Sequence, residues 1–513
     1  MFRRAVKWTV ATSLVGLTVA SLHKNRWEVS TIGLLRFGRA AVTVGKIAVD
    51  YKLTLKGLDI KSEEYTNLKS EVHFRSAKKL LDLCCKNGGA FIKVGQHIGA
   101  LNYLLPFEYV STLKILHNKA PKASIEDVLC VVKEDLGQDA SQLFKSFEPE
   151  PIGAASLAQV HLATLQDNTQ VAVKVQHRNV QAHAKVDMAT MELLVNVVAR
   201  LFPEFTFMWL AEETKRNLPL ELDFINEGQN AERVGKMFSS LPWLKVPKIY
   251  WNLSTKRVLT MEYCEGGQVD DDQYIKKHNI APSEVSRKLG ELYSQMIFVN
   301  GYVHCDPHPG NILVKKDERT KEAQIVLLDH GLYVDLTDQF RVDYCNMWLA
   351  LMKADVKGVE YWGRQLGVGD LYGLFACMIT ARSWTAVTKG IEKHSVSSEE
   401  KQEIRSNAAN YLPEITKVLS RVPRQMLLIF KTNDLLRGIE CSLGVKGAAG
   451  SFIAMSKCCI KALYNEKMKH CHSYFGTLKI LLTKSIAYTR IYLYQYYLWF
   501  MNLNIFSKTG IYS

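Results

Sequence analysis

The sequence predicts an α+β fold of two lobes, a small strand-rich lobe followed by a larger helical one, with a helical extension ahead of both. Three observations predict it. Apolar residues recur at spacings of three and four from Ser30 to about Phe147, and again from Pro282 to about Tyr464. Short runs rich in β-branched residues, bounded by turn formers, lie between these stretches. The length, 513 residues, exceeds one ordinary domain and suits two or three, each with its own apolar core.

The chain divides by texture in order. Residues 1–25 carry Arg3, Arg4 and Lys7, several Ser and Thr, and no acid before Glu28, which fits a mitochondrial presequence or a short anchor. The apolar run from Trp8 to Leu22 also fits a secretory signal, ranked behind mitochondrial import, and it falls short of the ~20 residues that span a bilayer. Residues 26–148 form the helical extension, with Ala77, Leu80, Leu81 and Cys84 on one periodic face and breaks at Pro106 and Pro121. The texture changes at Pro149-Glu150-Pro151, opening a β-rich lobe over residues 149–266. In it, QVHLATL and QVAVKVQ flank Gln166-Asp167-Asn168 and read as a hairpin; residues 181–238 return to helix; VPKIYWN and RVLTMEY read as two further strands. Residues 267–465 form the helical lobe, broken by a loop-rich section over 302–334, and residues 466–513 form a basic, aromatic tail.

Charge is concentrated at the ends. Of the formal +14, residues 1–52 hold +7, and Lys467–Ser513 hold six Lys/Arg and no acid, leaving about +1 for the middle. A nucleic-acid binder would carry its basic excess on the folded domain, so nucleic acid is excluded as a partner and an import signal or an anionic membrane surface is expected. Eleven cysteines include two adjacent pairs and no CxxC pattern, which reads as free, mostly buried thiols in a reducing compartment. From Ile486 to Phe506 the tail is rich in Tyr, but Arg490, Gln495, Asn502 and Asn504 make a poor spanning helix. Attachment at the membrane interface and packing on the helical lobe fit it equally.

The chemistry-bearing residues come in one order. Lys174 ends Val171-Ala172-Val173-Lys174 on the second hairpin strand, where a cation can meet nucleotide phosphates. Glu227 is the expected partner that fixes it, with Glu221 and Asp223 as alternatives. The strongest signal is His304-Cys305-Asp306-Pro307-His308-Pro309-Gly310-Asn311, followed by the strand Ile312-Leu313-Val314. Asp306 and Asn311 have the separation of a kinase catalytic loop, one carboxylate for the acceptor and one amide for a metal. A second strand, Ile325 to Leu328, delivers Asp329-His330-Gly331, with Asp329 as the main Mg²⁺ ligand. Cys305 stands where many protein kinases have Arg, His308 where they have Lys, and no APE triplet follows Gly331. The substrate is therefore expected to be a small molecule and not a peptide. Gly153-Ala154-Ala155-Ser156 replaces the usual glycine-rich phosphate loop and should be stiffer.

These residues resemble the AarF domain-containing kinase family, also called the ABC1 or UbiB family, from about Ser62 to Cys459. The specific marks are Lys93-Val94-Gly95-Gln96 (KxGQ), the alanine-rich loop from Gly153 to Ser156, Glu221-Leu222-Asp223 (ExD) and the HxDxHPxN loop from His304 to Asn311. The resemblance implies a bilobal protein-kinase-like fold whose KxGQ helix packs over the active-site cleft, with Lys93 and Gln96 held by Glu221 and Asp223. It implies catalytic roles for Asp306, Lys174, Asn311 and Asp329, with ATP or ADP and Mg²⁺ as cofactors. Nucleotide contacts fall to Gly153, Ala154, Ala155, Ser156, Lys174, Glu227 and Glu262, metal to Asn311 and Asp329, and support to His304 and His308. Gly153, where the family usually has alanine, and His330, in place of the DFG phenylalanine, depart from the pattern. The expected function is an atypical mitochondrial kinase or ATPase at the inner membrane, acting on a small or lipid substrate or coupling ATP turnover to lipid, coenzyme Q and cristae balance. Its expected partners are nucleotide, inner-membrane lipid and mitochondrial membrane proteins. The alternatives are a kinase-independent scaffold and, less favoured, a Ser/Thr protein kinase.

Overall fold

The computed structural model of the chain describes residues 33–59, 62–99, 105–117, 122–202, 208–389, 412–445 and 449–502. The presequence expected over residues 1–25 lies outside them, as does Pro121. The chain splits into two compact units, Met1–Arg233 with Pro247–Tyr263, and Val234–Val246 with Cys264–Ser513. Among the described residues the strands are β1 (Ser146–Ala154), β2 (Ala158–Thr164), β3 (Gln170–Gln176), β4 (Leu244–Lys245), β5 (Val258–Glu262), β6 (Gly267–Gln268), β7 (Tyr302–His304), β8 (Ile312–Lys316), β9 (Ala323–Leu327) and β10 (Tyr333–Asp335).

The first unit opens on helices α1 (Gly33–Thr54), α2 (Glu63–Asn87), α3 (Ala90–Gly99), α4 (Phe107–Leu113) and α5 (Ile125–Leu136). Their ends are written in the sequence. Ser62 caps α2 by accepting from Tyr65 N, Ser124 caps α5 by accepting from Asp127 N, and Gly137 stops α5 in the left-handed region at φ 74°. The sheet runs β1-β2-β3-β5, all antiparallel. On β3, Val171, Val173 and Val175 join Val128, Val131 and Val132 of α5 and Phe144 in one core. The period of two then puts Ala172 and Lys174 on the opposite face, as the sequence predicts. Helices α6 (Val180–Leu201), α7 (Met208–Glu221) and α8 (Phe224–Met237) follow β3.

Two expectations need correction here. Helical texture stops a little short of Phe147: α5 ends at Leu136, a one-turn helix covers Ala140–Leu143, and β1 starts at Ser146. β1 hides from a propensity reading because it is an edge strand carrying Pro149 and Pro151, with register shifts between Phe147 and Gly153. VPKIYWN is not a ladder strand either. Pro247 has no N–H to donate, Ile249 makes an isolated bridge to Met261, and Trp251–Leu253 turns as a 3₁₀ helix. RVLTMEY does form β5.

In the second unit, α9 (Pro282–Ser294) starts with proline at its first turn and passes into a π-helical turn over Gln295–Asn300. Gly301 ends it at φ 66°, with Leu336 O so near that a Cβ would lie 3.3 Å away. That turn sends the chain into β7, which pairs with β10, while β4-β9-β8-β6 form a second small sheet. Later helices include α10 (Arg424–Ser442), α11 (Ala449–Lys469) and α12 (Tyr474–Asn502). All eleven cysteines are free, and only Cys84, Cys305, Cys345, Cys458 and Cys459 are buried, fewer than expected.

Candidate active site

In the first unit, the face of β3 opposite its core valines carries Lys174, whose Nζ lies 2.6 Å from Glu227 Oε1 and 2.9 Å from Oε2. Glu227 sits in the first turn of α8, three residues after Phe224, whose ring lies 5.1 Å from the same Nζ. Of the three acids the sequence offers as partner to Lys174, Glu227 is the one seen in this bidentate contact. The pair is deep, with side chains 12% and 3% exposed, so its mutual attraction is little screened.

The other two acids serve elsewhere. Glu221, closing α7, receives Lys93 of α3 at 2.6 Å. Asp223 accepts from Ile225 N at the start of α8. Gln96 donates to Leu116 O at 3.0 Å, and Gly95 between them is required by packing: a Cβ there would lie 2.4 Å from Leu116 Cδ1. The glycine that looks misplaced in a helix is thus the point where a neighbouring turn crosses it.

The alanine-rich loop closes tightly. Ala155 N donates to Ala158 O, and His177, just past β3, grips Ala155 O through Nε2 and Leu157 O through its own N–H. Burial lowers the His177 pKa, which favours the neutral ring. Ser156 is buried, whereas Gly153 is exposed at the end of β1 with no atom within 4 Å of an added Cβ. Glu262, last in β5, accepts from Lys248 N at 3.1 Å.

In the second unit, the loop from His304 to Asn311 is built around backbone atoms of Asp306. Its carbonyl accepts from His308 N at 2.7 Å and from Asn311 Nδ2 at 3.1 Å, so the Asn311 amide presents its oxygen elsewhere. Leu328 N donates to Asn311 O, which joins this loop to the segment carrying Asp329. Asp329 Oδ1 accepts from Gly331 N at 2.9 Å. His304 is fully buried, shares a 2.8 Å hydrogen bond with the Tyr293 hydroxyl, and has its pKa lowered by that burial. His308 caps the turn, its Nδ1 accepting from Gly310 N. His330 is buried too. A carbonyl can only accept, so Nε2 donates to Leu327 O, and in the neutral ring Nδ1 takes the Tyr333 hydroxyl at 2.8 Å. Cys305 is buried, with Sγ on Val303 O.

One residue at this loop escaped the sequence reading. Lys431, on α10, places Nζ 3.0 Å from Asp306 Oδ1, at a sequence separation of 125. No spacing rule joins residues that far apart, and Lys431 sits in an ordinary helical stretch, so the sequence held no signal for it.

The comparisons with known proteins follow the same outline. Residues 115–362 match the ABC1 atypical kinase-like domain. The chain is 54% identical over 500 residues to AarF domain-containing protein kinase 1 of Gallus gallus, covering 97% of this chain and 96% of that one. It is 53% identical to the Mus musculus protein of the same name, covering 96% and 95%, and 51% identical to AarF domain-containing kinase 1 of Drosophila melanogaster, covering 91% and 90%. With a kinase-like motif set on an α+β scaffold and identity of this level across nearly the whole length, the chain belongs to the ABC1/AarF family of atypical kinases.

Proposed function

We propose that the protein is an ATP-dependent atypical kinase or ATPase acting on a small or lipid molecule at the mitochondrial inner membrane. The observation that carries the catalytic part is the buried Lys174–Glu227 pair, a strand lysine fixed by a helix carboxylate at 2.6 Å, the arrangement that aligns a cation on nucleotide phosphates. Lys174 binds the phosphates, and Asp306 orients an acceptor hydroxyl or water. The donor set suits magnesium: Asn311 and Asp329 offer an amide and a carboxylate oxygen, hard donors that Mg²⁺ takes a few at a time beside phosphate oxygens. When bound, the ion neutralises charge on the phosphates.

The membrane part rests on α12. Among the described residues no helix is long and apolar enough to cross a membrane. One side of α12 rests on α11, with the Tyr488 hydroxyl on Lys457 O and Lys457 over the Tyr492 ring. Phe475, Leu478, Leu482, Ile486, Leu493 and Tyr496 are exposed. The helix carries Lys479, Lys484 and Arg490 and no acid, a pattern suited to lying in an anionic interface. The contact with α11 accounts for the packing, and the exposed apolar residues are what we propose to lie at the interface.

A second reading, a kinase-independent scaffold for mitochondrial membrane structure working through membrane proteins, draws on the Lys93–Glu221 tie and the pinned alanine-rich loop, which stiffen the nucleotide face. The test measures Mg²⁺-dependent ATP and ADP binding and hydrolysis, with and without cardiolipin vesicles, on wild type, Lys174→Ala and Asp329→Ala. Turnover lost in both variants supports the enzyme; nucleotide binding without turnover in any condition, with cellular rescue by Asp329→Ala, supports the scaffold.

A further inference from the structure

We propose that Lys431 is a positioning residue of the phosphoryl-transfer site: a cation on a helix far down the chain that takes over the task of a catalytic-loop lysine. The inference rests on the kinase or ATPase reading above and adds a residue to it.

The loop itself has no such lysine. The position two after Asp306 is His308, and its Nδ1 is turned onto Gly310 N within the loop. Lys431 instead reaches Asp306 Oδ1 at 3.0 Å, with side chains 14% and 24% exposed. Its place is set from two sides. Along α10, the neighbours Phe430 and Thr432 are buried, as are Met426 and Ile429 one turn back. At the start of α10, Gln425 Nε2 donates to Asp335 O of β10, and β10 pairs with β7, the strand that leads into His304 and Asp306. Helix and loop are therefore registered against each other by a contact independent of the ion pair. A lysine needed only to tie them would duplicate that contact.

The chemistry gives the ion pair a use. An ammonium only donates, so Lys431 holds Asp306 through Oδ1 and sets the direction in which the carboxylate's other oxygen points. In the transfer, the acceptor oxygen attacks the γ-phosphorus while its proton passes to the Asp306 carboxylate. The bond from phosphorus to the bridging oxygen breaks, and ADP leaves with that electron pair. With water as acceptor the second product is inorganic phosphate, and the proton on Asp306 returns to solvent. Lys431 transfers nothing; it fixes the carboxylate in the orientation that accepts the proton.

The experiment uses the full chain with Mg²⁺·ATP and compares wild type, Lys431→Met, Lys431→Arg and the double variant Lys431→Met with His308→Lys. Melting temperature, nucleotide Kd and kcat are read on each. The expected result is a fall in kcat of about 100-fold for Lys431→Met, the scale of losing one well-placed group in a transfer site. Melting temperature and Kd stay within error, Lys431→Arg recovers to within about tenfold of wild type, and the lysine at position 308 recovers part of the loss. Lys431→Met with wild-type kcat, or a kcat loss that tracks a lower melting temperature and is not recovered by either basic variant, overturns the proposal. If Lys431→Met does not fold, Lys431→Gln takes its place with the same readings, and wild-type kcat in that variant overturns the proposal. Absence of turnover in wild type overturns the enzyme reading and this inference together, whereas wild-type turnover indifferent to Lys431 overturns this inference alone.

Discussion

Two lysine–carboxylate pairs, one in each unit, have nearly the same length and different surroundings. Lys174 and Glu227 meet at 2.6 Å with side chains 12% and 3% exposed; Lys431 and Asp306 meet at 3.0 Å with side chains 14% and 24% exposed. The lysines are about equally covered, so the difference lies in the carboxylates. Glu227 is closed in and spends both oxygens on its lysine, whereas Asp306 gives one oxygen to Lys431 and stays partly open. A carboxylate whose task is to hold a cation is best sealed; one that must meet an acceptor has to be reachable.

That contrast can be broken by mutation. The largest effect is expected at the sealed pair. Lys174→Ala leaves Glu227 buried without its cation and should cost about 3 kcal/mol, read by urea unfolding. Replacing both, as Lys174→Met with Glu227→Met, should recover most of that stability while nucleotide binding stays lost. At the open pair Lys431→Met should leave the urea midpoint within error, because a partly solvated ion pair contributes little. Equal costs at the two pairs would remove the distinction.

Next in size is Gly95→Ala. Its Cβ would lie 2.4 Å from Leu116 Cδ1, an overpacking worth about 1–3 kcal/mol in melting measurements. Since Lys93 and Gln96 sit on the same short helix, a shift there should loosen the Lys93–Glu221 contact and leave the second unit's pair untouched.

The comparison of the units extends to acid. In the first unit, burial between Tyr51 and Tyr109 lowers His73 to about 4 from an ordinary 6.5. A folded-state pKa below the unfolded one means the unfolded chain binds the proton first, so stability is present above pH 6.5 and is lost as pH falls toward 4. Asp50, held to about 2 by Arg75 and Lys79, adds a second loss as pH falls from 3.8 toward 2. His73→Gln should flatten the urea-midpoint difference between pH 7 and pH 5. Part of the slope should persist, because burial lowers His304 in the second unit as well.

The smallest effect is expected at Gly153. It has no positive φ and nothing within 4 Å of an added Cβ, so Gly153→Ala should change stability by less than about 0.5 kcal/mol. A change in the ATP-to-ADP affinity ratio at unchanged stability would locate nucleotide at that end of β1.

The sequence by itself determined what is local. Alternation along β3 put Lys174 on the face opposite Val171 and Val173, and the strands Ile312–Lys316 and Ala323–Leu327 framed Asp306, Asn311 and Asp329 in order. These follow from the strand period of two and from short spacings, which act over a few residues. Tertiary structure decided the rest. It chose Glu227 from among three nearby acids, made an edge strand of a proline-containing segment, placed Gly95 under Leu116, and brought Lys431 to Asp306. Such choices depend on which surfaces meet when separate elements pack, and a residue 125 positions away leaves no periodic trace of the partner it will find.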